Sequence, residues 1–338
     1  MPPIMHNRLT HQEAAEARSI AEAVARQVRD AVADEISRPG AGDITGIASS
    51  GDTTFSMDNA AEAALDAAIA GLGTPVACYS EDQGLQVPDG GAKWLLVVDP
   101  IDGTRPAAAG LEACVVSVAV ARLTDEPAFA DVAAGAVCEL RRDRLYSAAR
   151  GQGAWLDAGS DRRPLSPKDP GDLRNARWTL ETVGRPALLN YIAAGPLIDE
   201  TSLRGGQFAL NSSAFGICQV AAGALAGMVD LSARLLRDID TDARYVRSVC
   251  HGRIMGLWAY DIAAAALIAM EAGCAVTDAW GRSLDTLSLV HTEAEDMASC
   301  ICAASADQHA KMLALLNKGF ANCERLWKSG ALTPDGLE

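Results

Sequence analysis

Trp94-Leu-Leu-Val-Val-Asp99-Pro100-Ile101-Asp102-Gly103-Thr104 joins a run of apolar residues to a turn that carries two acids. Five consecutive apolar residues bounded by turn formers and charge predict a buried strand, which delivers Asp99 at its end. Pro100 and Gly103 then force a tight turn that brings Asp102 back towards Asp99. Two carboxylates so placed repel each other unless a positive charge lies between them, and hard oxygen ligands in a compact turn suit Mg²⁺. The amides of Gly103 and Thr104 are placed to meet a phosphate oxygen, above all if a helix starts there. Turn-capping aspartates use the same residue types, so either acid taken alone is equally compatible with a structural role.

Working outward, the strand belongs to a set of short apolar runs, Pro75–Tyr79, Val115–Ala121 and Val132–Cys138, each bounded by turn residues or charge. Pro75–Tyr79 runs into Glu81 as Trp94–Val98 runs into Asp99, so carboxylates gather along one sheet edge, where α/β proteins place ligands. Before them, Ile20, Val24, Val28, Val32 and Ile36 at steps of four predict an amphipathic helix from about His11 to Ile36. A Gly- and Ser-rich loop follows, and a second helix is predicted over Ser56–Ala70 with Ala61, Ala64, Leu65, Ala68 and Ile69 as its stripe. Charged, proline-containing sequence over residues 157–174 reads as an exposed connection to a more helix-rich half. There the patterns predict helices over 212–226, 262–272 and 307–316, and strands at Met228-Val229, 274–277 and 300–303. The tail from Lys328 has little apolar content and is expected to fray.

The chain has 338 residues, 49% of them hydrophobic, enough for a large core in one or two packed domains. A net charge of −15 argues against a nucleic-acid or anionic-membrane surface, and bound divalent cations would reverse that sign locally. Nine singly placed cysteines without a CxxC pair read as buried thiols in a reducing compartment. No segment sustains the ~20 apolar residues of a membrane span, and Met1 to Thr10 lacks a signal-type apolar stretch, so a cytoplasmic location is expected. Five scattered histidines in no motif make phosphoryl transfer through histidine an unfavoured chemistry.

Asp99-Pro-Ile-Asp-Gly-Thr104 resembles the signature of the inositol monophosphatase superfamily of lithium-sensitive, metal-dependent phosphatases, which includes the archaeal-type fructose-1,6-bisphosphatases. Ser80-Glu81-Asp82 resembles the family's acidic pair after a strand, and Asp52-Thr-Thr-Phe-Ser-Met-Asp58 its segment opening a helix. Trp258-Ala-Tyr-Asp261-Ile-Ala-Ala264, followed by Glu271-Ala-Gly273, resembles the second signature. Four matches in order are far more specific than one. The resemblance implies a layered αβαβα sandwich, an α+β half over 1–185 and an α/β half over 186–327, with a tail over 328–338 and the site between the halves. It implies that Glu81, Asp99 and the Ile101 carbonyl hold one metal, and that Asp99, Asp102 and Asp261 hold a second, two or three Mg²⁺ ions in all. It further implies that Gly103 and Thr104 bind the phosphate and that Asp58, Glu81 and Thr104 orient and help deprotonate the attacking water. In purely structural roles, Asp58 is a first-turn carboxylate favoured by the helix dipole and Thr104 an N-cap.

The same resemblance makes Asp230 the acceptor for substrate hydroxyls, with an ordinary strand-end aspartate as the alternative. The expected activity is hydrolysis of a small phosphorylated sugar or polyol, by a homodimer. Phosphatases of 3′-phosphoadenosine 5′-phosphate or of histidinol phosphate are the enzymatic alternatives, and a non-catalytic metabolite sensor is the alternative of another class. Two departures bear on substrate choice. Arg105-Pro106-Ala107 replaces the family's polar-aromatic continuation, and Asn211-Ser212-Ser213 lacks the usual glycine. Residues 231–260, with Arg234, Arg237, Arg244 and Arg247, form an extra stretch readable as a lid over a second phosphate or as a surface excursion.

Overall fold

A computed structural model describes residues 9–38, 40–47 and 53–332; Asp52 of the helix-opening segment lies outside them. The first helix, His11–Val32, starts at a capping box, in which the Glu13 amide donates to Thr10 Oγ1 at 3.2 Å and the Thr10 amide to Glu13 Oε2 at 2.9 Å. Its buried stripe alternates alanines with Ile20, Val24, Val28 and Val32, and the small residues let it lie close on a sheet. Ile36, which the spacing assigns to this helix, is buried on a separate 3₁₀ turn, Glu35–Ser37. The second helix spans Ser56–Ala70 as predicted, with Ala61, Leu65 and Ala68 buried and Glu62 unexpectedly among them.

Eight strands form the first sheet, in the spatial order Asp161–Pro164, Ala154–Ala158, Arg144–Ala149, Val132–Glu139, Val115–Arg122, Trp94–Asp102, Val76–Ser80, Gly84–Gln86. Every pair is antiparallel except Val76–Ser80 with Trp94–Asp102, which run parallel with Ser80 opposite Val98. That register brings Glu81 and Asp99 out at the same edge. Part of the stretch read as an exposed connection is instead the edge hairpin of this sheet. Asp161–Pro164 is exposed throughout, so it shows none of the alternation that marks a strand. A further small sheet pairs Ile44–Ile47 with Thr53–Phe55 inside the segment read as loop.

The second sheet has the order Gly206–Phe208, Arg177–Leu180, Gly227–Asp230, Cys300–Ala303, Ala275–Thr277, its first three strands parallel. Arg177–Leu180 thus joins it ahead of residue 185. Two helices, Ser213–Ala221 and Ala259–Ala272, lie between the sheets, while the first two helices cover the outer face of the first sheet. Ala187–Thr201 and Ala306–Lys328 cover that of the second, completing an αβαβα sandwich. The alanine-rich run after Asp261 is the central helix of this sandwich, where the backbones must approach closely. A Cβ on Gly135 of the first sheet would lie 2.7 Å from the Ala264 carbonyl oxygen. Among the described residues no helix is long and apolar enough to cross a membrane. The last helix runs past the predicted Leu316 to Lys328, and Leu332 beyond it is buried against the second half's core, so the described part of the tail is anchored. All nine cysteines are buried, and no disulfide joins any two of them.

Candidate active site

The bend after Trp94–Val98 owes its shape to a register slip. Asp99 pairs with Ser117 and Asp102 with Val115, which leaves Pro100 and Ile101 bulged between them. The Ile101 amide donates to Asp99 Oδ1 at 2.9 Å and the Thr104 hydroxyl to the Ile101 carbonyl at 3.0 Å, so the turn holds its own acid in place. Gly103 has φ +89°, and a Cβ there would meet the Ala113 carbonyl at 2.3 Å and Ser212 Cβ at 2.8 Å; only glycine closes this turn. The five-residue helix Thr104–Ala108 begins immediately after it, and Gly103 and Thr104 both face the cleft.

Asp261 reaches the same place from the other half. It is the third residue of Ala259–Ala272 and accepts from the Trp258 amide at 2.6 Å, which caps that helix. Ser117, the strand partner of Asp99, donates through its hydroxyl to the Tyr260 carbonyl at 3.3 Å and so pins the helix start beside Asp99. Asp102 in turn sits at the N-terminus of Ser213–Ala221, where it accepts from Ser212 Oγ at 2.8 Å and from the Ala214 amide at 2.7 Å. The outcome is that Asp99, Asp102 and Asp261 each offer a carboxylate oxygen within 4.8 Å of the others.

Glu81 lines the cleft with these three and with the Ile101 turn. Asp58 does not reach the main cleft: its carboxylate accepts from the Phe55 amide at 2.7 Å, and it lines a small neighbouring cavity with Glu81, Asp99 and Ile101. Helix capping and a place beside the acids therefore coexist at Asp58. Asp230 lies outside the cleft wall. It is 0% exposed, accepts from the Ser232 amide at 2.8 Å and hydroxyl at 2.6 Å, and forms an ion pair with Arg185. The wall is built instead by Glu181, Arg185, Asn211 and Met255 to Trp258, of which the sequence reading named none as a contact. Of the 231–260 stretch, only its C-terminal end reaches the cleft. Arg234 and Arg237 bond to carbonyls of Ala279, Glu295 and Met297, Arg244 to Asp242 and Arg247 to the Gly252 carbonyl.

Burial, reinforced by Glu81, Asp102 and Asp261, pushes the Asp99 carboxyl well above its ordinary range, and burial with Asp102 and Glu81 does the same to Asp261. Asp102 rises only to about 6, because burial is opposed by the donors from Ser212 and the helix amides. Such a set fits a hard divalent cation, whose charge would relieve the repulsion that burial magnifies. A consequence for stability follows from the sign of these shifts. Carboxyls whose folded pKa lies above the unfolded one stabilise the fold fully below the unfolded value, near pH 4, and lose that contribution as pH rises through the folded value. In chelator the melting temperature should therefore fall as pH rises from about 5 to 8, a loss of about 1–2 kcal/mol from Asp102, whose shift is spent between about pH 4 and 6, with more from the further-raised Asp99 and Asp261. Adding Mg²⁺ should remove most of the decline. Melting curves that are the same with and without the cation would contradict the cluster as a metal centre.

The sequence pattern of the inositol monophosphatase family matches residues 13–318. A fructose-1,6-bisphosphatase/inositol-1-monophosphatase of Methanothermobacter thermautotrophicus is 27% identical over 309 residues, covering 88% of this chain and 96% of its own. A fructose-1,6-bisphosphatase of Pyrococcus furiosus is 28% identical over 247 residues, covering 73% and 78%. Among solved structures, Mycobacterium tuberculosis SuhB superposes with a TM-score of 0.63 at 22% identity over 90% of this chain and 97% of its own. The suhB protein of Bartonella henselae superposes with a TM-score of 0.67 at 18% identity, covering 90% and 99%. With the family pattern spanning nearly the whole chain, and the signature acids of both halves meeting at one cleft, the protein belongs to the inositol monophosphatase family.

Proposed function

We propose that this chain is a magnesium-dependent phosphomonoesterase acting on a small phosphorylated sugar or polyol. The observation that carries the reading is the convergence of Asp99, Asp102 and Asp261 within 4.8 Å at a cleft also lined by Glu81. Glu81, Asp99 and the Ile101 carbonyl would hold one ion, and Asp99, Asp102 and Asp261 a second, in a site of two or three ions. Ions held there supply a water of lowered pKa and charge to offset that of the phosphate oxygens. The chain contributes position: the backbone of Gly103 and Thr104 meets the phosphate, and Thr104 and Asp58 orient the attacking water and help to deprotonate it, with Glu81 assisting. The relatives named for fructose-1,6-bisphosphate and inositol 1-phosphate favour sugar and polyol esters over 3′-phosphoadenosine 5′-phosphate or histidinol phosphate. A lithium-sensitive homodimer in the cytoplasm completes the reading, and nine buried cysteines without a disulfide suit a reducing compartment.

Phosphate release from fructose 1,6-bisphosphate, inositol 1-phosphate, 3′-phosphoadenosine 5′-phosphate and histidinol phosphate should be measured with Mg²⁺, with chelator and with added Li⁺. Release is expected from one of the first two, stopped by chelation and inhibited by Li⁺. Release that ignores chelation, or no release from any ester, would overturn the assignment.

A further inference from the structure

On the phosphomonoesterase reading, the substrate's hydroxyls still need an acceptor. Asp230 is not available for it, since Ser232 and Arg185 occupy its carboxylate beneath the cleft wall. Glu181 is differently placed. It follows the strand Arg177–Leu180 at the cleft and is 4% exposed, yet its Oε1 is buried without a hydrogen-bond partner. A buried, unpartnered carboxyl oxygen costs free energy and calls for a ligand that completes it.

The backbone around this side chain is held from both sides. The Glu181 amide donates to the Val229 carbonyl at 3.0 Å, and Asn190 Nδ2 donates to the Glu181 carbonyl at 2.9 Å. We infer that Glu181 is a specificity residue, the acceptor that takes a hydrogen bond from a hydroxyl of the phosphorylated polyol.

Charge favours a hydroxyl over a second phosphate at this wall. Two guanidinium groups line the cleft, Arg105 beside Thr104 and Arg185 at this wall, and that of Arg185 is already engaged by Asp230 and the Val183 carbonyl. Among the described residues, an incoming anion would find no unengaged cation beside Glu181 at this wall, whereas a neutral O–H donor meets an open acceptor. Ser212 ties the two acids together: its hydroxyl donates to Asp102 and its amide donates to the Glu181 carboxyl. A carboxyl accepts from a hydroxyl in either protonation state, so the assignment does not depend on the charge of Glu181.

The test compares inositol 1-phosphate with cyclohexyl phosphate, which keeps the ring and the phosphate and lacks the hydroxyls. Full-length Glu181→Met, which preserves volume and removes the acceptor, and Glu181→Gln, which keeps a carbonyl oxygen, are assayed in Mg²⁺. Should the cyclohexyl ester turn over too slowly, its inhibition constant against inositol 1-phosphate replaces kcat/KM. The preference of the wild type for the hydroxylated ester should fall about 10- to 100-fold in Glu181→Met, the range for leaving a buried hydroxyl without its partner, and by less in Glu181→Gln. If Glu181→Met does not fold, a fall in Glu181→Gln decides in the same way. Equal losses on both esters, or an unchanged preference, would overturn the inference while leaving the hydrolase reading intact. A wild type that hydrolyses neither ester nor any other in the panel would overturn both.

Discussion

Asp99→Asn is expected to lower kcat/KM by at least about a thousandfold, on the order seen when a site loses a group that stabilises transition-state charge, and yet to melt no lower than the wild type in chelator. The two halves of that outcome share one cause. Asp99 is 3% exposed and stands among Asp102, Asp261 and Glu81, so without a cation its charge is poorly tolerated. Asparagine keeps the oxygen that accepts the Ile101 amide and removes the charge, which relieves the apo protein while taking away the ligand that both proposed ions share. The decline of metal-free stability with pH should also flatten in this variant. Phosphate release and melts in chelator across pH 5 to 8 measure all of these. A variant that keeps its activity, or that loses activity because it unfolds, would remove Asp99 from the centre of the site.

Arg185→Gln should be the most destabilising single change near the cleft, by about 3–5 kcal/mol in denaturant unfolding, the range for breaking a buried ion pair by removing one partner. It strands the Asp230 carboxylate, which is 0% exposed, and removes the positive charge that opposes the burial of Glu181. Burial already pushes Glu181 up to about 8 even with Arg185 opposing it. Asp230→Asn in the same chain should restore part of the loss, because the double variant leaves one fewer uncompensated charge. This cycle also separates the two roles proposed for Asp230. As the buried partner of Arg185, Asp230→Asn alone costs stability and couples to Arg185→Gln. As a substrate anchor it would leave stability untouched and lower kcat/KM for the hydroxylated ester alone.

The contrast between Asp99 and Asp230 shows how far the sequence carries. Around Asp99 everything needed is local: an apolar run, a proline and a glycine spaced to bend the chain, and a second acid within the bend. Asp230 also ends an apolar run, and nothing within its own segment distinguishes an acid that faces a cleft from one that Arg185, 45 residues earlier, draws inward. Glu181 escaped notice for the same reason. Its strand is short, and its value lies in an oxygen left without a partner, which no pattern of residue types reveals.

By itself, then, the sequence determined the helices with clear 3.6-residue stripes, the buried strands of the first sheet, the acidic bend and the family to which these belong, since hydrophobic period and turn chemistry act between near neighbours. Tertiary structure alone decided which acids share one cleft. The parallel register that sets Glu81 beside Asp99, the Ser117 hydroxyl that holds the Tyr260 carbonyl across 143 residues, and the Ser212 hydroxyl on Asp102 across 110 are contacts between distant segments. They form only once both sheets are packed on the helices between them, because only then does the free energy of burial offset the cost of bringing buried like charges together.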